Sequence, residues 1–563
     1  MIRNKMIVLG LILLHILGCN DRHVHGPGLI TSEAMVVSAH PIASAVGRDI
    51  LKKGGNAVDA AIAVQFALAV VYPSAGNIGG GGFMIIRLNN GKYFSLDYRE
   101  KAPLNAHREM FQNDQGEVIE DLSTFGHLAA GVPGTVDGMT KAYDKFAKLD
   151  WKVLIQPAIN LAAQGFTLTE KEADKLNKNR DDFIRANTLT PDFIIKDNWQ
   201  AGDTIVLSDL ARTLTLIREQ KEAGFYTGEI ADLIVSEIKR GKGIITHEDL
   251  NLYSAVWRDP LTGYYKDYNI ISMGPPSSGG IALIQLLNLI ADYPLNSMGW
   301  NSAFYIHLLI EAEKYVFADR AKHLGDADFY PVPVNDLIDT SYLFNRMQNF
   351  NINRAIPSDS IYAGFIPLFE STETTHFSIV DQHGNAAAVT TTLNGAFGCK
   401  VIVGGAGFFL NNQMDDFSVK PGYPNMFGLI GGEANSIEPG KRMLSSMTPT
   451  IIEKNGELFM VVGSPGGSRI ITSVFQSLLN VIEFNMTMQE AVSAKRFHHQ
   501  WKPDTVYYES GRISQEVLQS LSVKGHRLKI RESMGSVDAI LVIPNIGLEG
   551  GADPRGDDTA DGF

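Results

Sequence analysis

The 563-residue sequence contains only two cysteines, Cys19 and Cys399, which are too few for a disulfide framework. It also lacks an excess of basic residues, because 49 lysines and arginines stand against 62 aspartates and glutamates, a net charge of −13. A protein that coats nucleic acid needs a basic face, so this balance argues against nucleic acid as a partner. With 45% hydrophobic and 20% charged residues, the composition excludes a disordered chain and a polytopic membrane protein.

Several common functional motifs are missing as well. Residues 79–82 and 463–468 are rich in glycine, but neither run has the Walker spacing or the setting of a dinucleotide-binding loop. No G-x-S-x-G elbow indicates a serine hydrolase. His498 and His499 are adjacent, so they point to different faces of any regular element, and no carboxylate or cysteine stands at ligand spacing. We therefore predict no cofactor and no metal, and a structural role for both histidines.

The N-terminus is typical of an export signal. Arg3 and Lys5 precede a mostly apolar run over residues 6–17, which is too short for a comfortable membrane span. The run ends at Ile16-Leu17-Gly18-Cys19 and resembles the bacterial lipobox, in which the cysteine is lipidated and becomes the mature N-terminus. The alternative is an ordinary secretory signal with a chance cysteine. We predict a periplasmic protein with a lipid anchor at Cys19 as its one link to the membrane, and a buried, hydrophobic role for Cys399.

The hydrophobic pattern predicts helices near the N-terminus, followed by a hairpin. Residues 42–53 have helical periodicity and end at a glycine pair, and residues 57–71 are apolar on every side, which indicates a buried helix. Residues 83–88 and 93–99 are rich in β-forming residues and are joined through an Asn-Gly turn. The segment from about 140 to 350 is predicted to be mostly helical.

Strands are predicted to dominate after residue 374, over residues 375–381, 386–393, 450–453 and 458–462. Helices are expected again at 468–482 and 514–523, the second capped by Ser514. Helices outside two sets of hairpins indicate an α+β fold in which sheets are stacked between helical layers.

A series of motifs then carries a family resemblance. Downstream of residue 373 they are Glu373-Thr374-Thr375-His376, Thr390-Thr391-Thr392-Leu393-Asn394, Gln413-Met414-Asp415-Asp416, Leu444-Ser445-Ser446 and residues 463–469; upstream they are residues 54–61, 76–83, 97–103 and 131–136. In order and spacing they closely resemble the γ-glutamyltranspeptidases (glutathione hydrolases), which are N-terminal-nucleophile hydrolases. The resemblance runs from about residue 30 to the C-terminus. It implies a four-layer αββα sandwich of antiparallel sheets between helical layers.

The resemblance implies that the precursor cuts its own chain between Glu373 and Thr374. A signal segment (1–19) would then be followed by a large subunit (20–373) and a small subunit (374–563), which form a heterodimer. Thr374 matches the nucleophile, and its freed α-amine, with a reference pKa of about 7.7–8.0, can act as the base for its own hydroxyl. Thr392 matches the threonine that supports this amine.

The resemblance also implies how the donor is bound. Arg99 matches the arginine that clamps the α-carboxylate of a γ-glutamyl group, as a guanidinium fork suits a carboxylate, and Ser445 and Ser446 match its hydroxyl partners. Asp416 matches the acid that pairs with the α-ammonium, and Asn394 and Gln413 complete the polar shell. Gly466 and Gly467 match the amides of the oxyanion hole, although the pair taken alone also fits a plain tight turn.

One position departs from the family pattern. Several bacterial members have a tyrosine in the loop after the Asp-Asp pair, where its hydroxyl closes the pocket against the family asparagine. Phe427 stands at the corresponding position. It can close the pocket by packing, but it cannot form the hydrogen bond to Asn394.

The predicted activity is an exported, self-processing γ-glutamyl hydrolase and transferase. Its donors would be glutathione and other γ-glutamyl compounds, and its acceptors water, amino acids or dipeptides. A glutaryl-type (cephalosporin) acylase on the same scaffold is the alternative enzyme. Asp416 argues against it, because an uncharged chain would leave that carboxylate buried and unpaired. A third alternative is an inactive lipoprotein that captures γ-glutamyl peptides.

Overall fold

The structure is a computed structural model that describes residues 26–363, 374–420, 422–426, 428–429, 433–511 and 513–563. The predictions for Cys19, Glu373 and Phe427 fall on residues outside these ranges. In the part of the chain that is described, no helix has the length and apolar character needed to cross a membrane.

Helices and strands alternate irregularly along the chain. The helices are α1 (Pro41–Lys52), α2 (Ala57–Val71), α3 (Thr135–Phe146), α4 (Trp151–Gln164), α5 (Glu170–Lys178), α6 (Arg180–Ala186), α7 (Ser208–Gln220), α8 (Ala223–Tyr226), α9 (Gly228–Arg240), α10 (His247–Leu252), α11 (Gly279–Ile290), α12 (Leu295–Met298), α13 (Ala303–His323), α14 (Val334–Ile338), α15 (Thr340–Met347), α16 (Arg469–Ile482), α17 (Met488–Ser493) and α18 (Gln515–Val523). The strands are β1 (Leu29–Thr31), β2 (Met35–Ser38), β3 (Gly81–Arg87), β4 (Tyr93–Asp97), β5 (Phe166–Thr167), β6 (Thr204–Ile205), β7 (Val256–Arg258), β8 (Leu261–Tyr265), β9 (Tyr268–Ser272), β10 (Thr375–Val380), β11 (Ala386–Thr392), β12 (Thr450–Lys454), β13 (Glu457–Gly463), β14 (Phe497–His498), β15 (Val506–Glu509), β16 (Leu528–Arg531), β17 (Asp538–Ile543), β18 (Gly547–Gly551) and β19 (Thr559–Gly562).

Two seven-stranded antiparallel sheets form the centre of the fold. The first has the order β1-β18-β17-β13-β12-β9-β8, and the second has the order β19-β2-β10-β11-β3-β4-β7. A three-stranded sheet, β14-β15-β16, lies outside them. Both large sheets contain strands from before and after residue 374, and β10 and β11 lie between β2 and β3. The backbone hydrogen bonds of the sheets therefore join the two halves of the chain.

Alternating side chains of the second sheet face two different cores. On β3, Met84 and Ile86 pack with α2, whereas Phe83 and Ile85 belong to the core shared with the first sheet. The opposite face of the first sheet is covered by α11, α13 and α16, whose apolar residues join that second core. The layers are therefore helix, sheet, sheet and helix, which confirms the predicted αββα sandwich.

The prediction of a wholly buried helix is also confirmed. Every residue of α2 is buried, and a capping box of Asn56 and Asp59 satisfies the N–H groups at its start. The hairpin of β3 and β4 and those of β10–β11 and β12–β13 form as the sequence predicts. Cys399 is buried and unpaired, and burial raises the pKa of its thiol to about 12.

The prediction that the middle of the chain is mostly helical is confirmed, but it did not include the strands of this segment. Between residues 140 and 350 the structure contains β8 and β9, which form an antiparallel pair at one edge of the first sheet. β9 pairs with β12, which lies about 180 residues further along the chain. A five-residue strand acquires its identity from such a distant partner, so local periodicity carried too little signal to find it.

Candidate active site

Thr374 lies directly before β10, at the centre of the second sheet. Thr375 pairs with Thr391 of β11, so the next position of the register brings Thr374 beside Thr392 at the end of β11. Thr374 is 7% exposed, and Thr392 is fully buried. The Thr392 hydroxyl accepts a hydrogen bond from the N–H of Asn394 at 2.8 Å. The predicted nucleophile and its supporting threonine therefore lie side by side at one end of two paired strands.

The glycine run at residues 79–82 packs against this same strand end. A Cβ on Gly80 would lie 2.0 Å from the carbonyl oxygen of Thr392, so only glycine permits this approach of the two backbones. Asn77 fixes the contact, because its side-chain amide donates to the Thr391 hydroxyl at 3.0 Å and to the Thr392 carbonyl at 2.9 Å. The run is thus a packing element that supports β11, and its geometry is not that of a phosphate loop.

Gly466 and Gly467 form a turn between β13 and α16. Their φ angles are +125° and +71°, a region in which a side chain is strained. Neither backbone N–H donates a hydrogen bond to any residue in the described ranges. Gly463, at the start of this loop, touches the ring of His376 on β10, since a Cβ there would lie 2.4 Å from it. The loop therefore brings two unused N–H donors towards the end of the sheet where Thr374 lies.

Arg99 and Asp416 are far apart in sequence but contact each other directly. The Nη2 of Arg99 donates to Asp416 Oδ2, and the same nitrogen donates to the Leu444 carbonyl at 2.9 Å. Gln413 Nε2 also donates to Asp416 Oδ2, at 3.0 Å. The prediction assigned Arg99 and Asp416 to opposite charges of one donor molecule. The structure adds that the two side chains form a buried ion pair with each other. The expectation that Asp416 would be unpaired without an ammonium is therefore wrong for Oδ2, because Arg99 already pairs with it.

Three buried oxygens beside this pair have no hydrogen-bond partner among the described residues: Asp416 Oδ1, Gln413 Oε1 and Asn394 Oδ1. The Gln413 side chain is hydrogen-bonded to Asp416. The Asn394 side-chain amide donates to the carbonyl of Asn412, the residue before Gln413, at 3.0 Å, so the three oxygens belong to one region. A buried polar atom without a partner costs about 1–3 kcal/mol. All three are acceptors, so a ligand group with several N–H donors, such as an ammonium, would satisfy them.

Burial raises the pKa values of the carboxyl groups in this region. Burial raises the pKa of Asp416 well above its ordinary value, although the Arg99 guanidinium opposes this shift. Burial likewise raises the pKa of Glu100 to about 7, again against the effect of Arg99. The pKa of Asp415 rises to about 6 for the same reason, while a 2.7 Å hydrogen bond from the Ser123 hydroxyl opposes the change. A cationic group bound among these side chains would stabilise their charged forms.

Ser445 and Ser446 follow the backbone segment that Arg99 holds. Ser445 Oγ accepts a hydrogen bond from the Met447 N–H at 3.1 Å. Ser446 Oγ accepts one from the Arg320 guanidinium at 2.9 Å. Both serines are buried, as is Arg320. The predicted hydroxyl partners are therefore adjacent to Arg99, and a second arginine accompanies them.

Arg320 is a site residue that sequence reasoning missed. Burial lowers the pKa of its guanidinium well below the ordinary value, and nearby Asp416 opposes this shift. It lies near the end of α13, a helix that is buried on most sides, so no amphipathic stripe or motif distinguishes it. Asn435 was missed as well; it donates to the Asp416 carbonyl at 2.6 Å and accepts from the Leu444 N–H at 3.0 Å. Neither residue has a local signal that could have identified it.

The loop after the Asp-Asp pair covers Asn394 through Met426. The Met426 sulfur lies 3.9 Å from the side-chain nitrogens of both Asn394 and Asn412. The backbone N–H of Met426 donates to Asp415 at 3.3 Å. This thioether is a weak acceptor that contacts the side-chain amide of Asn394.

The two adjacent histidines have separate neighbours. His498 contacts the Thr472 hydroxyl at 2.9 Å, and His499 contacts Asp504 at 3.2 Å. Burial lowers the pKa of His498 to about 3 and that of His499 to about 4, so both rings are neutral. These contacts agree with the predicted structural role.

One group of side chains in the described ranges has spacing suited to a metal: His307, Glu311 and His526. Its ligand atoms already have partners. The two imidazoles are hydrogen-bonded at 2.7 Å, and the Lys314 ammonium donates to Glu311 at 2.8 Å. A buried lysine thus supplies the positive charge that a metal ion would bring to this carboxylate.

Comparisons with known sequences agree with the motifs. Residues 43–563 match the profile of the family described as gamma-glutamyltranspeptidase. The chain is 46% identical over 534 residues to the glutathione hydrolase proenzyme of Escherichia coli (strain K12), which covers 94% of this chain and 92% of the relative. It is 48% identical over 521 residues to that of Pseudomonas aeruginosa, with 91% of each chain covered. The Acylase ACY 1 proenzyme of Pseudomonas sp. (strain SE83) is 35% identical over 536 residues, covering 94% of this chain and 93% of the relative.

Solved structures share the fold. The cephalosporin acylase from Bacillus halodurans aligns with a TM-score of 0.86 at 25% identity and covers 96% of this chain and 97% of its own. A chain of Helicobacter pylori gamma-glutamyltranspeptidase aligns with a TM-score of 0.57 at 44% identity, over 60% of this chain and 95% of its own. These neighbours and the stacked sheets identify the N-terminal-nucleophile hydrolase fold. On the extent of the sequence match, this chain belongs to the γ-glutamyltranspeptidase family.

Proposed function

We propose that this chain cuts itself between Glu373 and Thr374 and then acts as a glutathione hydrolase and γ-glutamyltransferase. The observation that carries the proposal is the position of Thr374, one register step beyond the Thr375–Thr391 pair and therefore next to Thr392, together with a buried set of unpartnered acceptor oxygens that includes Asn394 Oδ1. Hydroxyl, oxyanion donors and a charged donor pocket together form the minimum set for transfer of an acyl group that carries an ammonium.

Self-cleavage requires the Thr374 hydroxyl, the carbonyl of Glu373 and a water molecule. In the precursor, the Thr374 hydroxyl attacks the carbonyl of Glu373, the peptide C–N bond breaks, and the acyl group moves to oxygen. This shift releases the Thr374 α-amine, and water then hydrolyses the ester to give the Glu373 carboxylate and the free Thr374 hydroxyl. One residue thereby provides both the nucleophile and the base of the mature enzyme.

In the mature enzyme, the Thr374 amine takes the hydroxyl proton as the oxygen attacks the γ-carbonyl of the donor. The N–H groups of Gly466 and Gly467 stabilise the oxyanion, and such donors contribute about 3–4 kcal/mol each in other acyl-transfer enzymes. The proton passes to the leaving amine, and the γ-glutamyl group remains as an ester on Thr374. Water then completes hydrolysis, or an amino acid or dipeptide completes transfer.

Donor recognition follows from the charges of the pocket. Arg99, with the hydroxyls of Ser445 and Ser446, would bind the α-carboxylate. The α-ammonium would donate to Asp416 and to the free oxygens of Gln413 and Asn394. Because Arg99 and Asp416 contact each other, the donor would bind across an existing ion pair and replace part of it.

The two products of self-cleavage would remain together as a heterodimer of residues 20–373 and 374–563. β10 and β11 of the small subunit lie between β2 and β3 of the large one, and β12 pairs with β9. Separating the subunits would expose the edges of both central sheets and both apolar cores, which is strongly unfavourable.

The test is to purify the protein after export and to determine its fragments and its turnover. We expect two polypeptides, the smaller with an N-terminus of Thr-Thr-His, and release of product from glutathione and from a γ-glutamyl anilide. An active protein that remains a single chain would remove the mechanism, and a cleaved protein without γ-glutamyl turnover would remove the assigned activity.

The acylase alternative has support from relatives of that name. A glutaryl chain has no ammonium, so it would leave Asp416 Oδ1, Gln413 Oε1 and Asn394 Oδ1 buried without donors. The inactive binding lipoprotein is disfavoured because Thr374 and the glycine pair would then have no role.

For localisation, we propose export to the periplasm with a lipid anchor at Cys19. Cys19→Ser is expected to release the protein from the membrane fraction or to stall its maturation, as measured by fractionation and intact mass. Cys399→Ser is the matched control, because that thiol is buried far along the chain. Membrane association that persists unchanged in Cys19→Ser would argue for an ordinary signal peptide.

A further inference from the structure

A cavity lies beside the glycine pair, at the residues that follow Gly467. It has a volume of about 250 Å³. Ser468 and Arg469, which follow Gly467 directly, form one wall, and Met426 forms another. Because Met426 also contacts Asn394, the cavity extends from the oxyanion loop to the loop that covers the donor pocket.

The cavity is positively charged in a chain of net charge −13. Arg469 and Arg531 both line it, and no carboxylate does. The titratable ring in its wall, His498, is neutral, since burial lowers its pKa to about 3 and both arginines add to this effect. The two guanidinium groups therefore act on one small volume, and that volume favours an anion.

Arg531 is the more accessible of the two arginines. It ends β16, and its guanidinium lies over the ring of Tyr507 at 4.5 Å from the ring centre. In the described ranges no carboxylate lies within ion-pair distance of Arg531. Arg469 is held differently, because its Nε donates to the Gly466 carbonyl at 2.9 Å. Arg469 thus supports the glycine loop, whereas Arg531 has its N–H donors available for a ligand.

We infer that this cavity binds the amine partner of the reaction, and that Arg531 binds the carboxylate of that partner. The inference rests on the proposed function. When glutathione is the donor, the leaving group is a dipeptide with one carboxylate at its far end, and a dipeptide acceptor has the same feature. The volume suits a molecule of this size, and a guanidinium fork matches a carboxylate. The ligand class is therefore a short peptide with a free C-terminal carboxylate.

The position agrees with the direction of the chemistry. Under the proposed function, Arg99 and Asp416 would hold the acyl side of the donor and the Gly466–Gly467 turn its reacting carbonyl, so the leaving nitrogen would lie next to this turn. The cavity begins at the residues that follow this turn. Arg531 would bind the carboxylate at the far end of the leaving group, and it would therefore determine substrate specificity without taking part in bond cleavage.

The test compares glutathione with the same tripeptide carrying a C-terminal amide in place of the glycine carboxylate. In Arg531→Gln, we expect the ratio of kcat/KM for glutathione to that for the amide to fall about tenfold, mainly through KM, because charge-assisted hydrogen bonds have this size. Arg527→Gln is the matched control, since Arg527 is also exposed and does not line the cavity. With glycylglycine and glycylglycinamide as acceptors, Arg531→Gln should raise the KM of glycylglycine relative to that of glycylglycinamide.

The possible outcomes separate this inference from the proposed function. If the wild type turns over neither glutathione nor a γ-glutamyl anilide, the proposed function fails and this inference fails with it. If the wild type turns over both, but Arg531→Gln and Arg527→Gln give the wild-type ratio of glutathione to its amide, only the role of Arg531 is overturned. Arg531 is exposed, so its replacement should leave the melting temperature unchanged, which excludes misfolding as the cause of a lower ratio.

Discussion

Thr374→Ala is expected to yield a single uncleaved chain with no γ-glutamyl turnover. Under the proposed function, the same hydroxyl attacks the Glu373 carbonyl in the precursor and the donor carbonyl in the mature enzyme, so its removal would stop both reactions. Loss of a nucleophile lowers kcat by more than about a thousandfold in comparable enzymes. Denaturing electrophoresis reports cleavage, and a γ-glutamyl anilide assay reports turnover.

The neighbouring threonine provides a matched control. Thr375 is buried, and its hydroxyl has no partner in the described part of the chain, so Thr375→Val removes a hydroxyl of the same type without breaking a hydrogen bond. We expect Thr375→Val to be cleaved and Thr374→Ser to retain cleavage at a reduced rate. Normal processing in Thr374→Ala would mean that another group cuts the chain.

Asp416→Asn is expected to lower kcat/KM for γ-glutamyl donors by about 2–4 kcal/mol, or 30- to 1,000-fold, judging from truncated buried charge pairs. The asparagine has nearly the same shape, but its amide presents N–H donors where the α-ammonium would donate. A glutaryl anilide has the carboxylate and the scissile amide but no ammonium, so its turnover should fall much less.

The paired substrates make this result specific. Asp416 also contacts Arg99, so the substitution weakens the hold on that arginine for either donor, and the glutaryl anilide measures this shared effect. The ratio of the two kcat/KM values therefore isolates recognition of the ammonium. Equal losses of kcat/KM with both donors would show that Asp416 does not bind the α-ammonium, and this result would favour the acylase assignment.

Much of the local structure could be predicted from the sequence, because the signals were local. An apolar run on every face predicted the buried helix α2, and β-rich segments around tight turns predicted three hairpins. The strands β2 and β9 were not found. Each is only four or five residues long. β2 pairs with β10, about 340 residues further along the chain, and β9 joins β8 to β12, about 180 residues further on, so their own residues hold little information.

Some residues of the candidate site could be predicted from the sequence, and others could not. The motifs identified Thr374, Thr392, Arg99, Asp416 and the glycine pair, because their residue types occur in a recognisable order. Arg320 and Asn435 could not be found in this way. Each enters the site from an element whose position depends on the packing of the entire sandwich.

The sequence by itself determined the family, the residue types of the reaction and the local elements, since these depend on short patterns and their order. Only the tertiary structure decided that Arg99 and Asp416 form a buried ion pair and that three acceptor oxygens beside them lack donors. It also decided that Arg469 and Arg531 line one cavity next to the Gly466–Gly467 turn. Hydrogen-bond satisfaction and charge proximity depend on distances between residues far apart in the chain, and those distances exist only once both sheets and their helices have packed.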